Sequence, residues 1–204
     1  MLAAALRSHH LTASSLESHF GSRRRTRPLA ERRAERDAVD DPEIVLAAAL
    51  RFLEARQRST AEVRRRLIGA GYREELVTGA IGQLTELGML DDAAFAQTWV
   101  ESRDRARPRS ERALRRELAV KGIDREIVEG TMDERAAGSP DADAEAARRL
   151  LQRNAGALAR VPDPRARRER AYALLARNGF DSEVAAAAAR SFETAGDAEQ
   201  AGEA

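Results

Sequence analysis

Apolar residues recur every three to four positions from residue 42 onward, which is the spacing of amphipathic helices rather than strands. Asp41-Pro42 predicts the first helix start, because a carboxylate there can cap backbone N–H groups and proline suits the first turn. A second helix is predicted from Ser59 to Gly71, since Ser59 and Glu62 have the spacing of a capping box and glycine commonly ends a helix. A third helix is predicted over about 73–87.

The same three-helix plan then recurs along the chain. A shift of 51 residues superposes six landmarks of the first unit on the second without a gap. The six pairs are Ser59 and Ser110, Val63 and Leu114, Leu67 and Leu118, Gly71 and Gly122, Tyr72 and Ile123, and Leu76 and Ile127. A third unit fits at a shift of 57 residues, which requires a longer loop around Gly156 and Pro162. Self-similarity at a fixed period is typical of repeat proteins.

These patterns predict an all-α fold of three tandem three-helix repeats in an elongated, crescent-like stack. Residues 1–41 lack a sustained apolar period and are predicted to be a disordered tail. The predicted repeats cover 42–90, 91–137 and 138–194, and residues 195–204 are predicted to be a disordered acidic tail.

The composition argues against an enzyme. The sequence has no cysteine, which excludes disulfides, a thiol nucleophile and cysteine metal sites. Its three histidines, His9, His10 and His19, all fall in the predicted tail, and no phosphate-binding loop or nucleophile motif is present. Asp91 and Asp92 are interpreted as a helix cap rather than a metal site. We therefore expect no catalytic residues, cofactor or metal. No apolar run is long enough to cross a membrane, and we expect a cytoplasmic protein.

Charge is segregated although the formal net charge is only +1. Residues 51–73, 101–121 and 145–170 are rich in bases, whereas 74–102 and 122–147 are rich in acids. Each basic stretch covers the end of a first helix and the following second helix. If the units stack in register, these stretches could form a stripe that suits a polyanion or an acidic protein groove. A solvated, salt-bridged helix surface is the alternative.

Specific motifs add a resemblance to a known family. The chain has L-G-M-L-D-D-x-x-F-A-x-x-W-V over Leu87–Val100, R-P-R-S over Arg107–Ser110, and L-x-x-E-L-x-x-K-G-I over Leu114–Ile123. Together with the stretch Ala49–Tyr72, these segments resemble the RecX family of recombinase regulators. Ser110 stands where that family often has glycine, and the third unit is more diverged.

The resemblance implies regulation of the RecA recombinase. A protein of this kind would bind the RecA filament on single-stranded DNA, lie in the filament groove and inhibit recombinase and ATPase activity, thereby modulating recombination, DNA repair and the SOS response. We expect it to act as a monomer. The alternative is a helix-turn-helix-like protein that binds single- or double-stranded DNA without RecA. A third reading is a helical adaptor that binds neither.

The bases on and around the second helices are the hypothesised contacts with RecA or DNA. The candidates are Arg64, Arg65, Arg66, Arg103, Arg107, Arg109, Arg112, Arg115, Arg116, Lys121, Arg148, Arg149, Arg167 and Arg168. Leu67, Trp99, Leu114, Leu118 and Gly122 are assigned to packing.

Overall fold

The computed structural model describes residues 28–202, with side chains up to residue 193, and all regular structure in that part of the chain is helical. The helices are α1 Leu29–Asp37, α2 Pro42–Leu53, α3 Thr60–Ala70, α4 Glu74–Glu86, α5 Asp92–Ala106, α6 Glu111–Lys121, α7 Arg125–Gly138, α8 Ala142–Arg153, α9 Ala155–Ala159, α10 Pro164–Arg177 and α11 Ser182–Gly202.

The helices begin and end where their capping residues predict. Asp41 accepts a hydrogen bond from the backbone N–H of Glu43 at the start of α2. Ser59 and Glu62 form the predicted capping box at the start of α3. Gly122 follows α6 with a φ of 79°, a left-handed conformation that glycine adopts without a steric cost.

Each three-helix unit buries a hydrophobic core of its own. The first core lies between α2, α3 and α4 and contains Val63 and Leu67. The second core lies between α5, α6 and α7 and contains Leu114 and Leu118. The third is built by α8, α10 and α11 with the short α9, and contains Leu175. The all-α fold of three-helix repeats is therefore confirmed, and so are the packing roles of Leu67, Leu114 and Leu118.

Both predicted tails are wrong in part. Residues 29–37 form α1, which the apolar pattern did not reveal because none of its residues is buried. It is held by contacts with α3, where Arg36 Nη1 donates to the carbonyl of Ala70 at 3.1 Å and the Arg36 guanidinium lies 5.6 Å from the Tyr72 ring centre. Residues 1–27 lie outside the described part. At the other end, α11 continues from residue 195 to Gly202 through residues that include three alanines, which favour helix, and no proline.

The end of each second helix meets the start of the second helix in the unit before it. A Cβ built on Gly122, at the end of α6, would overlap the Cβ of Ala61 in α3. One built on Gly179, after α10, would come within 2.7 Å of Ser110 Oγ at the start of α6. Gly71, after α3, is equally close to Arg33 of α1. Helix α1 therefore occupies, on the first unit, the place that a preceding second helix would take.

Backbone groups are satisfied across these junctions. The carbonyl of Lys121, just before Gly122, accepts from Ser59 Oγ at 2.7 Å. Asp92 accepts from the backbone N–H of Thr60 at 2.8 Å, and Asp143 accepts from that of Glu111 at 2.9 Å. The interpretation of Asp91 and Asp92 as caps of one helix is thus corrected: Asp91 caps α5, whereas Asp92 caps α3 of the preceding unit.

Candidate binding groove between repeats two and three

A groove of about 550 Å³ runs along the junction between the second and third units. It is lined by Trp99, Arg103, Arg109, Ala113, Arg116, Glu117, Val120, Lys121, Arg177 and Asn178. Helix α5 contributes the first two of these residues, the loop before α6 contributes Arg109, α6 contributes the next five, and the end of α10 with the residue after it contributes the last two. Five cationic side chains therefore face a single carboxylate, so the groove is suited to an anionic ligand.

Glu117 organises the floor of this groove. Its carboxylate accepts from Trp99 Nε1 at 2.9 Å and from Arg103 Nε at 2.6 Å, and it lies 3.5 Å from Arg109 Nε. Arg109 also donates to the side-chain oxygen of Asn178, which ties α10 to the loop before α6. Two of the five cations are thus held in place by the same acid.

Trp99 is half-buried and lines the groove, so its assignment to the core is only partly right. Its ring stacks on Phe95 with centroids 5.9 Å apart. The Arg103 guanidinium lies 4.2 Å and Lys121 Nζ 4.6 Å from the ring centre, which are cation–π distances. The indole is therefore occupied by its neighbours rather than open to a nucleobase.

Lys121 connects the groove to the first unit. Its Nζ donates to Glu62 Oε1 at 2.8 Å, and Arg56 Nη2 donates to the same oxygen at 3.0 Å. Burial raises the pKa of Glu62, but the hydrogen bonds from Lys121, Arg56 and the Ser59 backbone outweigh this effect and lower that pKa to about 2. Lys121 therefore links the first two units through its ion pair with Glu62, and it also lines the groove.

The two remaining cations of the groove are unpaired. Arg116 and Arg177 are exposed, and within the described residues neither side chain forms a hydrogen bond or ion pair. Val120 lies beside them with 77% of its surface exposed. The groove thus presents two free guanidinium groups next to an exposed aliphatic side chain.

The structure brings only four of the fourteen candidate bases into this groove: Arg103, Arg109, Arg116 and Lys121. Elsewhere, Arg64, Arg149 and Arg168 lie in ion pairs with Glu74, Glu145 and Glu193 respectively. Arg65 and Arg167 donate to backbone carbonyls, and Arg66 lies 5.7 Å from the Phe52 ring centre. The side chains of Arg107, Arg112 and Arg148 have no hydrogen bond or ion pair among the described residues. The sequence-predicted bases therefore do not form one uninterrupted stripe of free charge.

Adjacent bases on α6 point in different directions. Arg115 faces α7, where hydrogen bonds from its guanidinium to Glu129 and Glu111 raise its pKa above the ordinary value despite partial burial. Arg116, one residue on, faces the third unit close to Gly179. Successive residues of a helix are separated by about 100°, so a basic doublet cannot serve a single face. Arg116 is the better candidate of the two.

The sequence reasoning missed Arg177, Asn178, Glu117 and Val120. A usable signal was present, because a shift of 57 residues places Arg177 on Val120. In each of these units, the residue two positions before the glycine that ends the second helix lies near a junction. The repeat alone could therefore have predicted that Val120 and Arg177 occupy equivalent places.

A second charged cluster fixes the third unit to the second. Arg135, whose side chain is only 7% exposed, donates to Asp104 at 2.9 Å and to Asp143 at 2.8 Å. Burial lowers the pKa of Arg135, but the two carboxylates outweigh it and raise that pKa. All of its neighbours are satisfied, so this cluster is structural. Among the described residues, no group of histidine and acidic side chains could hold a metal ion.

Comparison with known proteins identifies the family that has this architecture. Residues 46–84 match the family model described as RecX, first three-helix domain, and residues 91–132 match RecX, second three-helix domain. The regulatory protein RecX of Mycobacterium avium (strain 104) is 34% identical over 139 residues, which cover 68% of this chain and 79% of that protein. The regulatory protein RecX of Mycobacterium marinum is 38% identical over 141 residues, with the same coverage. The chain belongs to the RecX family.

Solved structures agree with the fold. RecX from Lactobacillus salivarius superposes with a TM-score of 0.62 at 20% identity, covering 76% of this chain and 98% of that one. A second solved structure, of a regulatory protein RecX, gives a TM-score of 0.56 at 21% identity over 76% of this chain and 70% of that one. The resemblance noted from the motifs is thus confirmed. Arg177 of the groove lies beyond both matched RecX domains. Over residues 28–202, no helix is sufficiently long and apolar to cross a membrane.

Proposed function

We propose that this protein regulates RecA: it binds the RecA filament on single-stranded DNA and inhibits its recombinase and ATPase activities, thereby modulating recombination and DNA repair. Membership of a family whose relatives are named regulatory proteins supports a regulatory role. The observation that carries the proposal to a binding role is the cationic groove at the junction between the second and third units. The protein acts as a cytoplasmic monomer without catalysis or a cofactor.

The arrangement of the units supports binding to a repetitive partner. The end of each second helix meets the start of the preceding one, and the junctions are held by hydrogen bonds to backbone groups and by the ion pair of Arg135 with Asp143. Unpaired arginines occur on this row, with Arg112 and Arg116 on α6 and Arg177 on α10. Such a row of units presents several separate contacts at once, and linked contacts raise overall affinity through effective concentration.

ATP hydrolysis by the RecA of the same organism on single-stranded DNA tests this proposal. The full chain is titrated well below one copy per RecA. We expect progressive inhibition at these ratios, because a regulator that spans filament subunits acts on more than one of them. Unchanged hydrolysis by a chain shown to be folded and helical would refute the proposal.

Binding to bare duplex DNA, measured across a salt series, separates the alternative. A helix-turn-helix-like binder needs no RecA and shows a steep loss of affinity with salt. Tight duplex binding together with unchanged RecA hydrolysis would establish that function instead. Binding to neither would leave the helical adaptor.

A further inference from the structure

We propose that the groove between the second and third repeats binds an acidic polypeptide segment that carries an aliphatic side chain, and that Arg116 and Arg177 hold its carboxylates. The proposal rests on the proposed function only for the identity of the partner that supplies the segment. The chemistry of the site follows from the groove itself.

The charge of the groove selects an anion and places it. Glu117 already pairs with Arg103 and Arg109, and Glu62 pairs with Lys121. Arg116 and Arg177 remain without a carboxylate among the described residues. A guanidinium presents a planar fork of N–H donors that matches a carboxylate with two parallel hydrogen bonds. Because Arg103, Arg109 and Lys121 already have a carboxylate partner, the ligand's carboxylates are directed to Arg116 and Arg177.

The apolar part of the groove favours a polypeptide over a nucleic acid. Proteins that bind single strands use open aromatic faces on which bases stack. The Trp99 ring offers no such face, because Phe95, Arg103 and Lys121 contact it. Val120, by contrast, exposes 77% of its surface next to the two free guanidinium groups. An aliphatic side chain of a peptide can cover Val120 while flanking carboxylates reach the arginines.

The groove also has a built-in reporter, since Trp99 is the only tryptophan of the chain. The full-length protein is titrated with a short synthetic peptide of glutamate, aspartate and leucine while Trp99 emission is recorded. Isothermal titration calorimetry on the same samples measures binding without relying on the indole. Two comparison ligands are used: the same peptide with glutamine and asparagine in place of the acids, and an oligothymidylate of equal charge.

Variants locate the site. We expect the double variant Arg116→Ala/Arg177→Ala to lower the affinity for the acidic peptide about tenfold for each guanidinium removed, which is the scale of a lost charge-assisted hydrogen bond. The matched control is Arg125→Ala/Arg170→Ala, which removes two exposed arginines outside the groove and should leave affinity within about twofold. Val120→Asn should weaken the leucine-containing peptide but not one with glycine in place of leucine.

Each other outcome overturns the proposal. Oligothymidylate that binds with the same dependence on Arg116 and Arg177 and displaces the peptide would make this a nucleic-acid groove. No binding of the acidic peptide, or equal loss in the control variant, would show that the groove does not recognise it. The two proposals can fail separately. If the protein inhibits RecA but does not bind the peptide, the groove proposal is wrong and the proposed function is retained. If it binds the peptide but has no effect on RecA, the proposed function is wrong and the groove proposal is retained.

Discussion

Replacing Gly122 by alanine tests how closely the second helices must approach. At a φ of 79°, a residue with a Cβ costs about 1 kcal/mol more than glycine. The added Cβ would also overlap the methyl group of Ala61, which is fixed to the α3 backbone and cannot rotate away. Overpacking of this kind costs about 1–3 kcal/mol. We therefore expect Gly122→Ala to lower the free energy of unfolding by about 2–4 kcal/mol.

Urea unfolding followed by far-ultraviolet circular dichroism measures the effect, and two glycines serve as matched controls. Gly88 has a φ of 67° but nothing within 4 Å of a built Cβ, so Gly88→Ala should show only the backbone cost of about 1 kcal/mol. Gly130 lies inside α7 in open space, so Gly130→Ala should stabilise the protein by up to about 1 kcal/mol. The difference between Gly122→Ala and Gly88→Ala isolates the contact between the first and second units.

A double-mutant cycle decides whether that contact is the cause. Ala61→Gly removes the methyl group that the new Cβ meets, so the double variant should be more stable than the sum of the two single changes predicts. If Gly122→Ala costs no more than Gly88→Ala, or if Ala61→Gly recovers nothing, the reasoning about the junction is wrong.

Three further changes test the polar contacts between units. Arg135→Met should cost about 2–4 kcal/mol in urea unfolding, because it leaves part-buried Asp143 without an ion pair and Asp104 with only Arg149 at 3.9 Å. Adding Asp104→Asn should recover part of the loss, whereas a cost below that of exposed Arg125→Ala would contradict this. The lowered pKa of Glu62 contributes stability above about pH 4.5 that is lost as the pH falls toward 2. Glu62→Gln should therefore reduce the fall of the melting temperature between these pH values, and an unchanged fall would contradict this. Asp92→Ala should speed hydrogen exchange at the Thr60 amide, whereas Asp91→Ala should not; equal rates would remove the assigned role of Asp92.

The local signals in the sequence predicted the units well, because caps and glycines act over a single turn. Ser59, Ser110 and Gly122 each mark a helix end in the structure as they do in the sequence. The apolar period likewise identified Leu67 and Leu118 as core. These features depend on neighbours three to five residues away, so no tertiary information is needed to read them.

The features that failed depend on partners distant in the chain. Helix α1 has no buried face and is held by Arg36 against the end of α3, which is 34 residues away from it. Asp92 caps a helix 32 residues earlier. The sequence identifies the candidate basic residues, but it does not show which of them form ion pairs with acidic side chains. Arg115 and Arg116 differ only in which neighbouring helix each one faces.

The separation of the apolar residues into three cores has a mechanical consequence. Contacts between units are mainly hydrogen bonds and ion pairs at partly exposed groups, whereas the apolar contacts lie within units. Bonds of the first kind can exchange with water one at a time without opening a core. The chain should therefore behave as three stiff segments joined by compliant links, able to bend along a curved partner while every helix stays folded.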